Sequence, residues 1–273
     1  MPHAQTGDVS LYYEIVGASG GAPLLLIAGQ GGQLISWPVG FRDLLANAGY
    51  QVILFDNRDV GWSTKIDDGR SYDLTDMADD AAALLEHLHL GPVHAVGQSM
   101  GGMIAQLLTI RNPHLVRSLC SIYSAPGPSH ITTHPEVWNI RAQPAATERN
   151  AAVLQYIQRE RLSGLAGYTE KEIHDYAEQT VDRCWYPEGA ERQMDAVRRS
   201  EDRTEALRKV EVPTAVMHGL DDLLIDVSGS QVTAEAIPGA ELHTYANMGH
   251  QLVPALWQDY VRVITRNADR ADL

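Results

Sequence analysis

Gly97-Gln98-Ser99-Met100-Gly101 carries the first chemical signal in this 273-residue chain, set between an apolar run and a segment with helical spacing. Gly-x-Ser-x-Gly in that position is the layout of a nucleophile elbow, a sharp strand-to-helix turn that lifts one serine hydroxyl above a sheet. The glycines are needed because Ser99 occupies strained backbone at the turn, where side chains at 97 and 101 would collide with the adjoining strand and helix. The first N–H groups of the following helix, beginning at Met100, have no partner inside it and face whatever oxygen becomes negative as Ser99 attacks. A chain with 23 glycines can carry the pattern by chance. The surroundings of the motif therefore decide.

A serine hydroxyl becomes a nucleophile when a base takes its proton, and the base needs a carboxylate to fix its tautomer. With 11 histidines in the chain, residue type selects nothing and position must. His250, in Asn247-Met248-Gly249-His250, follows the last expected strand, and Asp222, in His218-Gly219-Leu220-Asp221-Asp222, follows the strand before it. In a doubly wound sheet, functional groups gather in loops at the carboxyl ends of the strands. Ser99, Asp222 and His250 are thus the expected catalytic set. Asp221 and Asp226 remain rivals for the acid; the spacing from Gly219 favours Asp222, because one turn fits before the carboxylate points inward. His87, His89 and His94 read as structural or solvated, and His218 as a loop brace. Asp56-Asn57-Arg58-Asp59 reads as a loop-bracing ion-pair and capping network. A second oxyanion donor is expected from Gly29-Gln30-Gly31-Gly32, with the backbone of Gln30 first and Gly31 second. That loop does not suit a nucleotide, since Trp37-Pro38 interrupts the dinucleotide pattern and a phosphate-loop lysine is missing.

These loops need strands and helices to hold them. Apolar runs at 9–16, 24–28, 52–55, 93–96, 116–123, 214–218 and 241–245 read as strands, most of them buried on both faces. Helical spacing covers 41–48, 74–90, 100–111 and 254–266, with Gly91-Pro92 and Asn112-Pro113 as stops. Alternating short strands and amphipathic helices imply a parallel sheet covered on both sides. The rhythm breaks between Pro126 and Lys209, where 148–162, 169–183 and 190–207 read as helices with no buried strand. The expected organisation is one α/β core, residues 1–125 and 210–273, interrupted by a helical cap at 126–209.

Bulk properties narrow the function classes. The formal charge of −14 and the lack of a basic, aromatic-interleaved cluster argue against a nucleic-acid partner. No segment offers the roughly 18 apolar residues of a membrane span, and the N-terminus lacks a signal-peptide pattern, so no membrane association and a cytoplasmic location are expected. Cys120, in an apparent strand, and Cys184, in a polar helical region, read as structural thiols.

With these residues and Asp56-Asn57-Arg58-Asp59-Val60-Gly61-Trp62-Ser63 in view, the chain resembles the α/β-hydrolase family in its capped esterase branch, whose members order their triad Ser, Asp, His. Gly29-Gln30-Gly31-Gly32-Gln33-Leu34-Ile35-Ser36-Trp37-Pro38 is similar to the corresponding loop of bacterial esterases similar to aclacinomycin methylesterase. The likeness covers the core and is weak across the cap. It departs at Leu223-Leu224-Ile225-Asp226, where relatives often carry a proline. The resemblance implies an α/β-hydrolase fold, a doubly wound, mostly parallel sheet with the helical cap inserted after strand 6. It also implies a triad of Ser99, Asp222 and His250, an oxyanion hole from the backbone of Gln30 and Met100, and ester hydrolysis through an acyl-enzyme without metal or organic cofactor. The expected substrate is a hydrophobic small-molecule ester, such as the methyl ester of a natural product. Gly31, Trp37 and Tyr123 of the core and Trp138 and Trp185 of the cap are candidates for contacting it, with Tyr156, Tyr168 and Tyr186; each serves equally well as glue between cap and core. Perhydrolase or haloperoxidase-type chemistry, carbon–carbon bond hydrolysis, and a ligand-binding or cyclase-like role with little turnover stay open, because fold does not choose among them. The oligomeric state also stays open.

Overall fold

Alternate residues of the central strands point to opposite sides of one sheet, and both sides are buried. The computed structural model describes residues 2–164 and 166–272. Strands β1 (His3–Thr6), β2 (Val9–Val16), β3 (Ala22–Ile27), β4 (Tyr50–Phe55), β5 (Val93–Gln98), β6 (Val116–Ile122), β7 (Thr214–Gly219) and β8 (Glu241–Tyr245) lie in the order β1-β2-β4-β3-β5-β6-β7-β8. The β1–β2 and β2–β4 pairs are antiparallel and the others parallel. Leu25, Ile27, Ile53 and Phe55 enter one core layer with helices α2 (Leu74–His87) and α3 (Met100–Arg111). Leu24, Leu26, Val52 and Leu54 enter the other, with α1 (Val39–Asn47) and α10 (Trp257–Asp269). Each fully buried leucine or isoleucine contributes roughly 1.5–3 kcal/mol of transfer free energy, so a one-residue slip of any central strand is strongly disfavoured.

The chain leaves β3 toward the α1 side and leaves β5 toward the α3 side, although the two strands are neighbours. Connections that part in this way open a crevice at the carboxyl ends of the two strands. The Gln30 loop follows β3 and Ser99 follows β5, so the topology sets them face to face across that crevice.

Between β6 and β7 lie helices α4 (Pro135–Arg141), α5 (Arg149–Ser163), α6 (Glu170–Arg183), α7 (Pro187–Arg199) and α8 (Thr204–Leu207); α9 (Val227–Ala236) follows β7. Several elements differ from expectation. The helix expected over 190–207 is interrupted at 200–203. There the Arg203 side chain, 4% exposed, turns inward to the Gln106 amide oxygen and the Ala125 carbonyl. Strand β1 and helix α4 were not foreseen, nor was α9. Its Val-Ser-Gly-Ser-Gln-Val-Thr stretch has poor intrinsic helix propensity. Asp226 caps it by accepting from the Ser228 N–H, and packing on β7 supplies the rest. Among the described residues no helix is long and apolar enough to cross a membrane.

Candidate active site

Ser99 stands alone between β5 and α3 with φ 56° and ψ −124°, a left-handed conformation that costs a residue with a Cβ on the order of 1–3 kcal/mol. The glycines beside it are there for space. A Cβ on Gly97 would lie 2.0 Å from the Gly101 carbonyl oxygen, and one on Gly101 would lie 2.1 Å from that of Ile27. Further bonds hold the turn, since the Ser99 N–H donates to the Ile122 carbonyl at 2.9 Å and the Ser124 hydroxyl to the Ser99 carbonyl at 2.7 Å. Ser124, and Gln98, whose side chain joins the Ser36 and Tyr123 hydroxyls, are supports that no sequence pattern announces.

His250 Nε2 is 2.8 Å from Ser99 Oγ, and its Nδ1 is 2.7 Å from Asp222 Oδ2. The second oxygen of Asp222 accepts from the Leu224 and Ile225 N–H groups at 2.8 and 3.0 Å. The Asp222 side chain is fully buried and that of His250 is 8% exposed. Burial pushes the Asp222 carboxyl up. The charge of His250 and the hydrogen bonds from His218, His250 and the Ile225 amide outweigh it and hold the group well below the ordinary carboxylate range. The rival residues are placed elsewhere. Asp221 is exposed, and Asp226, also exposed, is the cap of α9. His218 lies 2.7 Å from Ser230 Oγ and 2.9 Å from the Ile225 carbonyl, bracing the loop that carries Asp222. His94 is buried in β5 against Ser118.

Beside Ser99, the Gly29 loop approaches so closely that a Cβ on Gly29 would lie 3.1 Å from the Ser99 Cβ. The backbone N–H groups of Gln30 and Met100 have no acceptor among the described residues. Gly31, the second choice from sequence, has its N–H committed to Gln193 Oε1 at 2.7 Å. The Gln30 side chain is also engaged, donating to the Ala190 carbonyl at 2.7 Å, which leaves its main chain free to face the serine.

The Asp56–Asp59 segment braces more than its own loop. Asp56 accepts from the Leu34 and Trp62 N–H groups and from Arg183 Nη2 at 2.7 Å, and Asp59 binds Arg192 through both oxygens. Both arginines arrive from the helices between β6 and β7. Nothing in the local sequence marks Arg183 or Arg192 as partners, because the pairs span 127 and 133 residues. Asp56→Ala is expected to cost about 3–5 kcal/mol, since removing one partner leaves the other buried and unpaired. The side chain of Arg183 is 7% exposed. Urea unfolding measures the loss, and a midpoint equal to wild type would show that the pair carries no stability.

The structure divides the aromatic candidates. Tyr123 packs against His250 with ring centroids 4.6 Å apart. Trp37, expected near the substrate, is instead fully buried and stacked on Phe41 in the core. Leu34 and Trp37 supply apolar surface to the core cluster that includes Phe41 of α1. Trp185, likewise expected there, donates its Nε1–H to the Ala146 carbonyl and belongs to the core formed by α5 and α6. Tyr186 takes Arg192 on its hydroxyl, Tyr168 donates to the Leu252 carbonyl, and Trp138 is 48% exposed. Tyr156 and Tyr176 face each other and Glu160. All three side chains are partly buried.

Burial pushes the Glu160 carboxyl up to about 7, against the opposing effects of Tyr156 and Arg141. The value in the unfolded chain is about 4.3. The contribution of Glu160 to stability is therefore fully present below the unfolded value and is lost as pH rises through about 7. Glu160→Gln should accordingly gain stability relative to wild type at pH 8 and not at pH 4. Urea curves at the two pH values test it; a difference independent of pH counts against a neutral Glu160.

Proteins already known share this arrangement of chain. The alpha/beta hydrolase fold family matches residues 22–150. A protein of Azorhizobium caulinodans with the provisional name carbamate hydrolase RutD is 32% identical over 89% of this chain and 88% of its own. Rhodomycin D methylesterase DauP of Streptomyces sp. strain C5 is 27% identical over 94% of each chain. Among solved structures, the meta-cleavage product hydrolase of Pseudomonas fluorescens IP01 superposes with a TM-score of 0.83 at 18% identity, covering 99% of this chain and 98% of that one.

Proposed function

Because the chain belongs to the alpha/beta hydrolase family, we propose that it is a serine hydrolase that cleaves carboxylic esters through an acyl-enzyme. The observation that carries the reading is the unbroken chain Asp222–His250–Ser99, with bonds of 2.7 and 2.8 Å, beside two unengaged backbone N–H groups. Ser99 Oγ attacks the ester carbonyl carbon while His250 Nε2 takes its proton. The carbonyl oxygen becomes negative and accepts from the Gln30 and Met100 N–H groups, which are fixed before the reaction and need no reorganisation. Asp222 holds the Nδ1–H side of His250 and stabilises the imidazolium. The tetrahedral species collapses, and His250 returns the proton to the leaving alcohol. Water, deprotonated by His250, then attacks the acyl-serine; the acid leaves and Ser99 recovers its proton.

The methylesterase relative supports a hydrophobic ester, such as the methyl ester of a natural product, as the substrate. The tyrosines around Glu160, and Tyr123 beside His250, supply aromatic surface for it. A fluorophosphonate probe tests the reading. Labelling of wild type at Ser99, together with p-nitrophenyl ester turnover, is the expected result. An unlabelled protein with no turnover refutes it.

A further inference from the structure

Helix α5 lies with one end against the loop that carries His250. A Cβ on Gly249, the residue before His250, would lie 2.3 Å from the Ser163 carbonyl oxygen at the end of α5. Tyr156, Arg159, Glu160 and Ser163 share one face of this helix, at spacings of three and four. Glu160 is within electrostatic reach of Tyr123, which packs against His250. Arg159 is within reach of Glu191. The neighbour of Glu191, Ala190, binds the Gln30 side chain and sits 3.2 Å from where a Gly31 Cβ would be. Arg159 lies one helical turn before Ser163, the residue of α5 that meets the His250 loop.

Arg159 and Arg141, the last residue of α4, make no hydrogen bond or ion pair with any described residue, and Arg159 Nε is a buried donor without a partner. Burial lowers the pKa of both guanidinium groups, and the two charges further oppose each other at Arg141, where Glu160 offsets the effect only in part. Other inward-turned arginines are satisfied: Arg58, Arg183 and Arg192 each hold a carboxylate at 2.7–2.8 Å, and Arg203 donates to the Gln106 amide oxygen and to the Glu201 and Ala125 carbonyls. The chain has 35 acidic against 21 basic residues, yet no described carboxylate is in contact with either guanidinium, Glu160 and Glu191 acting on them only at longer range. Partly buried cations without a partner are costly, and a guanidinium fork fits a carboxylate through two parallel hydrogen bonds.

We propose that Arg159 and Arg141 form the recognition site for a carboxylate of the substrate, so that the ester opened by Ser99 carries a free carboxylate elsewhere in the molecule. This rests on the ester-hydrolase reading above. A single carboxylate suits the site, because neither guanidinium has a carboxylate in contact, Glu160 near Arg141 and Glu191 near Arg159 acting only at longer range. The low-dielectric surroundings strengthen that pairing.

The test compares methyl hydrogen adipate with methyl hexanoate, which differ only by the terminal carboxylate. Wild type is expected to turn over the acidic ester with a kcat/KM at least tenfold higher. Arg159→Gln and Arg141→Gln should each lower that value about tenfold or more, through KM, while methyl hexanoate changes less than threefold; Arg159→Lys should recover part of the loss. Equal use of the two esters by wild type, or equal losses on both in the variants, overturns the proposal. A second readout does not need turnover. Adipate should raise the melting temperature of Ser99→Ala protein and not that of Ser99→Ala carrying Arg159→Gln or Arg141→Gln. If Ser99 fails to react with the fluorophosphonate and yet adipate stabilises only the proteins with both arginines, the hydrolase reading falls and the carboxylate site stands. If adipate stabilises none of them, the carboxylate site falls by itself.

Discussion

Ser99→Ala should lower kcat toward p-nitrophenyl butyrate by roughly a million-fold, because residues of a serine triad act as a unit and removing the nucleophile forfeits nearly all their contribution. Folding should survive, because no bond that holds the elbow uses the hydroxyl. The turn is held by the Ser99 N–H and carbonyl, and among the described residues the hydroxyl bonds only to His250. A second substitution isolates the strain. Alanine keeps a Cβ at φ 56°, whereas glycine adopts that conformation freely. Ser99→Gly is therefore expected to be more stable than Ser99→Ala by about 1 kcal/mol, the strain less the extra entropy of an unfolded glycine. Chemical denaturation of the two inactive proteins measures it. Equal midpoints would mean that the elbow stores no strain.

Asp222→Asn should lower kcat by about ten-thousand-fold with little change in KM, since an amide in place of the carboxylate favours the wrong imidazole tautomer while leaving the pocket intact. The introduced amide nitrogen would donate where the carboxylate now accepts, turning His250 Nδ1 into an acceptor and its Nε2–H toward the serine. The same substitution has a pH signature. The folded value of Asp222 lies below its unfolded value of about 3.9. Its stabilisation is accordingly present above that unfolded value and is lost as pH falls through the folded one. Unfolding free energy measured from pH 5 down to pH 2 should fall less steeply in Asp222→Asn than in wild type. An identical slope would place the acid sensitivity elsewhere, and a kcat within tenfold of wild type would remove Asp222 from the proposed mechanism.

The parts of the fold visible in the sequence share a physical cause. The central strands are short and apolar on both faces, so they stand out without neighbours. Strand β1, with two exposed residues in four, and α9, built from residues that disfavour helices, do not stand out. Tertiary contacts make them what they are. In the site, Ser99 carries a local signature because the elbow is a local backbone problem. Asp222 and His250 were reachable from topology, as the loops after the last two strands, and the spacing after Gly219 favoured Asp222 over Asp221 and Asp226; the structure adds the burial of its side chain and the two amides that hold it.

The aromatic residues show where reading by type fails. Trp37 and Trp185 have the surface to hold a ligand; Trp37 is fully buried in the core, and Trp185, partly buried, packs on the α5–α6 cluster. Amino-acid order alone determined the alternating core, the strained serine and the sequence of the three proposed catalytic groups, because each depends on neighbours a few residues away or on the rule that loops gather at strand ends. Tertiary structure decided which glycine-loop amide stays free, which acid meets the histidine, and which arginines find carboxylates and which do not. Those outcomes depend on burial and on pairings across more than a hundred residues, and a side chain's partner at that range is set by where the sheet and helices carry it.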